Sequence, residues 1–303
     1  MSPAPMHDGE VATDVALVRR LLAAQFPHWA DLAVVPVASD GTDNAMYRLG
    51  DTMAVRLPRM RWAVDAVGKE RKWLPKLAPH LPLAIPLPLA KGAPGEGYPW
   101  PWSVCRWLDG ANAAQAPLAD LNGAANVLAG FLHALQRIDA TGGPPPGRHN
   151  SGRGVPLSLR DAPTRHAIQA AADLIDARAA TAAWETDMTA SLWAGQPVWI
   201  HGDLSAGNLL VADGRLGAVI DFGCLAVGDP ACDLMIAWSV FGGKSRAVFR
   251  AALAADDATW ARGRGWALSC ALVALPYYRD RNPAIAAGAQ RVIGQVLADH
   301  GHA

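Results

Sequence analysis

Apolar residues recur along this chain in two rhythms, and the change between them divides it. Val11, Val15, Val18, Leu21 and Leu22 fall near a three-to-four spacing before Pro27, which predicts a helix over 8–30. From Leu32 to Trp107 the apolar positions come instead in short runs, predicting strands at 32–37, 45–49 and 53–57. The polar turn Gly50-Asp51-Thr52 predicts a hairpin between the last two. A helix is expected over 64–74, ending before Pro75. A further strand over 102–107 leads into Leu108-Asp109-Gly110, which reads as a hinge.

Beyond that hinge the helical rhythm dominates. Leu118, Leu121, Ala125, Leu128, Leu132, Leu135 and Ile138 repeat every three or four residues, the stripe of an amphipathic helix. Residues 141–156, rich in Gly, Pro and Arg, predict a loop, and helical patterning resumes over 161–193. The C-terminal 60 residues suggest three more helices, the last starting near Pro283 and ending before Gly301. The expectation is an α+β, bilobal molecule with a β-rich lobe over 1–108 and a larger, mainly helical lobe over 109–303. The β-rich part lacks strand–helix–strand alternation, which argues against a Rossmann sheet.

The most informative stretch is 198–234. A short apolar strand at 198–200 is followed by His201-Gly202-Asp203, and Asn208 comes five residues after Asp203. Two apolar runs flank Ala212-Asp213-Gly214-Arg215, and the Asp-Gly pair marks a hairpin. Asp221, Phe222 and Gly223 follow the second strand, so the hairpin brings Asp203, Asn208 and Asp221 to one end. Asn208 and Asp221 offer hard oxygen ligands for Mg²⁺, which keeps waters and takes other ligands from nucleotide phosphates. Asp203 is then available to accept or orient the proton of an attacking hydroxyl, the division of labour of kinase-type phosphoryl transfer. His-Gly-Asp or Asp-Phe-Gly alone is common by chance; the joint pattern with its hairpin is specific. The competing reading makes Asp203 and Asn208 turn and capping residues only.

These residues resemble the aminoglycoside phosphotransferase family, a branch of the protein-kinase-like fold. The resemblance rests on its H-G-D-x4-N loop (His201 to Asn208), its I-D-F segment (Ile220 to Phe222) and its G-D-P-x2-D-L sequence (Gly228 to Leu234). It implies a catalytic base at Asp203 and magnesium ligands at Asn208 and Asp221. Likeness to eukaryotic protein kinases is more distant: Gly202 replaces their arginine, and no A-P-E segment follows. Asp229 and Pro230 also read as N-cap and first turn of a helix. Asp233 suits that helix start or could brace the catalytic loop. For Asp229 and Asp233 a structural role outweighs a catalytic one.

A kinase-like N-terminal lobe needs a cation on a strand and a helical Glu to position it. Arg56 and Glu70 stand at those places, with Arg where the family usually has Lys; the two are not interchangeable. The competing reading puts Arg56 on the surface. Lys69 and Lys72, beside Glu70, are expected to be solvated. Ser39, Thr42 and Asn44 lie where a phosphate-covering loop belongs, although with one glycine rather than three. There is no G-x4-G-K-[ST], which excludes a P-loop. Cys105 and Trp107 would form the adenine-contacting hinge through backbone groups. Most other tryptophans, among them Trp62, Trp102, Trp184 and Trp266, are expected in the core or the wall of a substrate pocket.

Composition narrows the partners. The 303 residues carry 27 basic and 27 acidic side chains, which argues against nucleic acid and membrane surfaces. No uninterrupted apolar run of about 18 residues exists, and the N-terminal residues show no signal-peptide pattern, so a cytoplasmic protein is expected. Cys105, Cys224, Cys232 and Cys270 form no CxxC pair and read as small hydrophobes. The expected function is transfer of the terminal phosphoryl group of ATP or GTP, with Mg²⁺, to a small-molecule hydroxyl, foremost an aminoglycoside or related antibiotic. The alternatives are another alcohol (a macrolide, a peptide antibiotic, a sugar, a choline-like molecule) or a non-catalytic nucleotide-binding pseudokinase. A polycation needs a carboxylate-lined pocket. Residues 109–199 hold eight acids against six basic residues and 231–303 five against eight, so neither segment is strongly acidic. Asp173, Asp176, Glu185 and Asp187 form the densest acidic run, for which a solvated helix face is the plainer account. Nothing in the sequence fixes the oligomeric state.

Overall fold

The computed structural model describes residues 9–38, 41 and 43–301. Helix α1 (Val15–Gln25) starts at Asp14, whose side chain accepts from Leu17 N (2.7 Å), an N-cap that shortens the helix expected over 8–30. Strands β1 (Val34–Pro36), β2 (Asn44–Leu49) and β3 (Met53–Pro58) follow, then α2 (Val64–Leu77), β4 (Pro88–Gly92) and β5 (Trp102–Arg106). These strands form one antiparallel sheet in the order β1-β2-β3-β5-β4, with the expected β2–β3 hairpin pairing Leu49 with Met53. Strand β4 was not legible from the pattern: it contains Pro88 and Gly92, and its place at the sheet edge is where a strand tolerates proline.

Helix α2 does not stop before Pro75; it runs through it to Leu77. A proline removes only its own bond to the carbonyl four residues earlier, and exposed Arg71 can give that carbonyl to water. Burial of Trp73, Leu74 and Leu77 holds the last turn in place. These three side chains belong to the large core of the helical part, and Trp73 meets Trp199 at 4.8 Å between ring centroids. The sheet has its own core, built from Leu17, Leu21, Leu22, Leu49, Val55, Leu57, Trp102 and Val104 among others.

The helical part begins with the short strand β6 (Ala111–Asn112) and α3 (Leu121–Arg137), capped by Asp120. Helices α4 (Asp161–Ala170) and α5 (Ala177–Met188) replace the single helical stretch expected over 161–193, because the Asp176 side chain caps a new start at Ala179 N (2.9 Å). Next come β7 (Val198–Ile200), β8 (Leu209–Ala212), β9 (Arg215–Val219) and β10 (Ala226–Gly228). Helices α6 (Ile236–Ser239), α7 (Gly243–Ala252), α8 (Asp257–Tyr278) and α9 (Pro283–Gly301) complete the chain. Strands β8 and β9 pair as a hairpin and β7 pairs with β10. Asp213 and Gly214 both have positive φ (50° and 73°), the backbone an Asp-Gly two-residue turn requires. No helix among the described residues is long and apolar enough to cross a membrane.

Candidate active site

The loop after β7 is fixed from below by a buried acid. Asp233, fully buried, accepts from His201 N through Oδ2 (2.8 Å) and from Gly202 N through Oδ1 (2.7 Å). Burial raises the Asp233 pKa above the usual carboxylate value, and nearby His201 and the two backbone donors oppose the rise. Its role is the brace, as the sequence allowed. Asp229 is likewise structural: it caps Ala231 N (2.9 Å) and pairs with Arg262 (2.8 Å).

His201 joins the two loops of the site. The Asp203 N–H donates to its Nδ1 (3.2 Å), so Nε2 carries the proton and donates to Ile220 O (3.0 Å). The ring rests against Phe222 at 4.6 Å. Gly202 has φ +83°, and a Cβ there would sit 2.5 Å from Cys224 O, so no side chain fits where protein kinases carry arginine.

Asn208 donates from Nδ2 to the Asp203 backbone carbonyl (2.7 Å) and to its Oδ2 (3.3 Å), while Ile220 N donates to Asn208 O (2.9 Å). Asp221 follows in the left-handed region (φ 61°), accepts from Gly223 N (3.3 Å) and lies 3.8 Å from the Arg56 guanidinium. The structure therefore gathers Asp203, Asn208, Asp221 and Arg56. The carboxylates of Asp203 and Asp221 are 43% and 39% exposed, which leaves both open to a ligand.

Arg56 is buried on β3 and donates to Glu70 Oε2 of α2 at 2.7 Å, so the surface reading of Arg56 is set aside. Burial acts to lower the Arg56 pKa, but the carboxylates of Glu70 and Asp221 outweigh it and hold it above its ordinary value. Burial raises that of Glu70, with Arg56 opposing. Glu70 Oε1 is buried without a partner. Lys69 is not solvated as expected: it donates to Gly223 O (2.6 Å) and His149 O (3.3 Å) and meets His149 Nδ1 at 3.0 Å. Lys72 is exposed over the ring of Trp73.

Asn44 opens β2 opposite Pro58; Ser39 and Thr42 lie outside the described residues. Cys105 is buried within β5 between β3 and β4. The Trp107 N–H is engaged with Thr52 O (2.8 Å), so that donor is committed to the sheet rather than to a base. Burial pushes the Cys105 thiol up to about 11 and the Cys224 thiol up to about 12, as expected of unreactive cysteines. Trp102, Trp184 and Trp266 are fully buried, whereas Trp62 is half-exposed on the surface.

One residue in the site came from a segment read only as a loop. Arg153 donates from Nε to Gly202 O (2.9 Å) and stands 3.6 Å from Asp203 Oδ1. Nothing in the local sequence singles it out, because its partners lie about 50 positions away.

A family model described as the phosphotransferase enzyme family matches residues 34–266. The chain belongs to that family. The match runs from β1 into α8 and takes in every site residue described above. Solved structures give the same fold. A GDP complex of a singly substituted aminoglycoside 2'-phosphotransferase of type IIIa is 20% identical over 95% of this chain and 99% of its own, with a TM-score of 0.75. A GDP and kanamycin complex of an APH(2") enzyme is 21% identical over 93% and 98%, with a TM-score of 0.71. A macrolide 2'-phosphotransferase from Brachybacterium faecium is 24% identical over 91% and 97%, with a TM-score of 0.61. At these identities the likeness establishes the protein-kinase-like fold. No curated protein matches the sequence.

Proposed function

We propose that the enzyme moves the terminal phosphoryl group of ATP or GTP to a hydroxyl of a small molecule, with Asp203 meeting that hydroxyl. The observation that carries this reading is the convergence of Asp203, Asn208 and Asp221 beside the buried Arg56–Glu70 pair. Residues 1–108 would form the nucleotide-binding lobe and 109–303 the catalytic and acceptor lobe, in a cytoplasmic protein. The relatives crystallised with GDP or ADP support a nucleotide donor.

Magnesium fits the donor set. The Asn208 amide nitrogen is turned to Asp203, which leaves its oxygen, with the half-exposed Asp221 carboxylate, as hard ligands. Two protein ligands suit an ion that takes its remaining oxygens from phosphates and water. When bound, it would neutralise charge on the transferred group. Arg56, fixed by Glu70, would hold phosphate oxygens bidentately. Ser39, Thr42 and Asn44 would cover the phosphates, and the 105–107 backbone would border the base. Asp203 would accept the hydroxyl's hydrogen bond and orient its oxygen for in-line attack.

The acceptor we propose is an aminoglycoside or a related antibiotic, as in the kanamycin complex of a relative. One observation favours a less cationic acceptor, such as a macrolide, a peptide antibiotic, a sugar or a choline-like alcohol. The densest acidic run is already occupied: Asp173 pairs with Arg279, Asp176 caps α5, Glu185 pairs with Arg165, and Asp187 with Arg264 and His300.

Asp203→Ala should abolish transfer while magnesium-dependent nucleotide binding survives, read by coupled nucleotide turnover over an acceptor panel and by calorimetry. Wild-type turnover in that variant would overturn the assignment. Nucleotide binding by the wild type without transfer to any acceptor would favour the pseudokinase.

A further inference from the structure

Two arginines converge behind the catalytic loop, and the charge around them is not balanced. Arg153 touches Gly202 O and stands beside Asp203, as described. Arg160 ends a short helical turn (Leu157–Arg160) and donates from Nε to Ser269 Oγ at 3.3 Å. Both guanidiniums lie over the Trp266 ring, 5.7 Å and 5.5 Å from its centroid. Among the described residues, Asp203 is the one carboxylate at ion-pair distance from Arg153, and none stands at that distance from Arg160. Burial lowers the Arg160 pKa, the Cys270 thiol opposes this, and the charge of Arg153 lowers it further.

A second observation points the same way. Trp266 is fully buried, and its Nε1 is one of two buried side-chain polar atoms among the described residues that lack a partner. A buried donor without an acceptor is costly and rare, so this one calls for an explanation. No carboxylate among the described residues is bonded to that N–H, and those of the surrounding helices are paired elsewhere. Asp161 is held by Arg165 and Trp184, Asp187 by Arg264 and His300, and Asp229 by Arg262. The region thus offers two guanidiniums and an indole N–H, with a single, half-exposed carboxylate among them.

We infer that Arg153, Arg160 and Trp266 form an oxyanion subsite beside Asp203, one that takes a phosphate- or carboxylate-type group. This rests on the reading of Asp203 as the residue that meets the acceptor hydroxyl. The group has two sources with the same chemistry: the phosphoryl group as it reaches the acceptor, or an anionic substituent carried by the acceptor. Guanidinium forks suit both, because they bind planar or tetrahedral oxyanions bidentately.

The test uses the enzyme saturated with Mg²⁺ and ADP, so that the nucleotide phosphates are already placed. The Trp266 indole N–H resonance, assigned by its loss in Trp266→Phe, is followed during titration with three probes. These are inorganic phosphate, glucuronate and glucosamine, the last two sharing a ring with opposite charge. Phosphate, glucuronate or both should shift the resonance and glucosamine should not. Arg160→Gln should weaken the response by about tenfold, whereas Arg160→Lys should retain most of it and show that the fold is intact. A response to phosphate alone, with Arg160→Gln lowering kcat at constant KM, assigns the subsite to the transferred group. A response to glucuronate, with a raised KM for an anionic acceptor, assigns it to the substrate. The inference falls if neither anion moves the resonance, if glucosamine moves it equally, or if Arg160→Gln titrates like the wild type. Failure of the Asp203 reading shows elsewhere, as nucleotide turnover that survives Asp203→Ala, and leaves the anion titration interpretable.

Discussion

Two arginine–carboxylate pairs belong to this site, and they are built differently. Arg56 and Glu70 are both buried and stand 2.7 Å apart, so neither carries much freedom. Arg153 and Asp203 stand 3.6 Å apart, and the Asp203 carboxylate is nearly half exposed. A buried pair with one partner removed leaves a desolvated charge uncompensated, which destabilises the fold. The second pair is longer, and although Arg153 is largely buried its carboxylate partner is open to water, so it is the weaker of the two. The first pair fixes a position, and the second leaves a carboxylate open to water, as the role proposed for Asp203 requires.

The contrast breaks most sharply when one partner of each pair is replaced. Asp203→Asn should lower kcat by about 10²–10⁴-fold, the usual contribution of a positioned acid–base group, with a smaller loss of stability than Arg56→Ala because Asn keeps an acceptor oxygen for Arg153. Arg56→Ala should destabilise by about 3–5 kcal/mol, because it strands Glu70 in the core; chemical denaturation reads this directly. Equal loss of stability in both variants would erase the distinction.

Gly202→Ala should cost about 1–3 kcal/mol and lower activity, since the added Cβ meets Cys224 O and the backbone sits at positive φ. Thermal unfolding together with steady-state rates tests it. The smallest effect concerns pH. Asp233 must be ionised to accept from both His201 N and Gly202 N, and burial raises its pKa. Lowering the pH therefore protonates it sooner than an ordinary Asp, whose pKa is about 4. The acid limb of kcat should lie above that value. Asp233→Asn should flatten the limb at a reduced plateau, and an unshifted limb in that variant would remove Asp233 from the account.

The parts of the site that lie within one loop and one hairpin were legible in the sequence. His201, Asp203, Asn208 and Asp221 are brought together by short spacing and an Asp-Gly turn, so a linear pattern carries them. Arg56 and Glu70 were legible because a kinase-like lobe needs a strand cation and a helical Glu, and strand and helix rhythm showed where those elements lie. Lys69 and Arg153 were not, because their partners Gly223 and Gly202 are 154 and 49 positions away and set by packing. Asp233, 32 positions from His201, was legible only as one of two local options. The sheet's edge strand and the turn of α2 beyond Pro75 escaped for a related reason: proline and glycine signal breaks, and tertiary burial overrode the signal.

Helix α2 carries Glu70 toward the sheet while Trp73, Leu74 and Leu77 are embedded in the core of the helical part, and Lys69 is tied to Gly223 and His149. The helix is thus packed against both parts, joining the sheet through Glu70 and the helical core through Trp73, Leu74 and Leu77. Moving the sheet away from the helical part would stretch Arg56 from Glu70 or pull Trp73 out of its packing. The spacing of sheet and helical part and the geometry of the Arg56–Glu70 pair are consequently tied to each other, and a phosphate held by Arg56 as proposed would report on both.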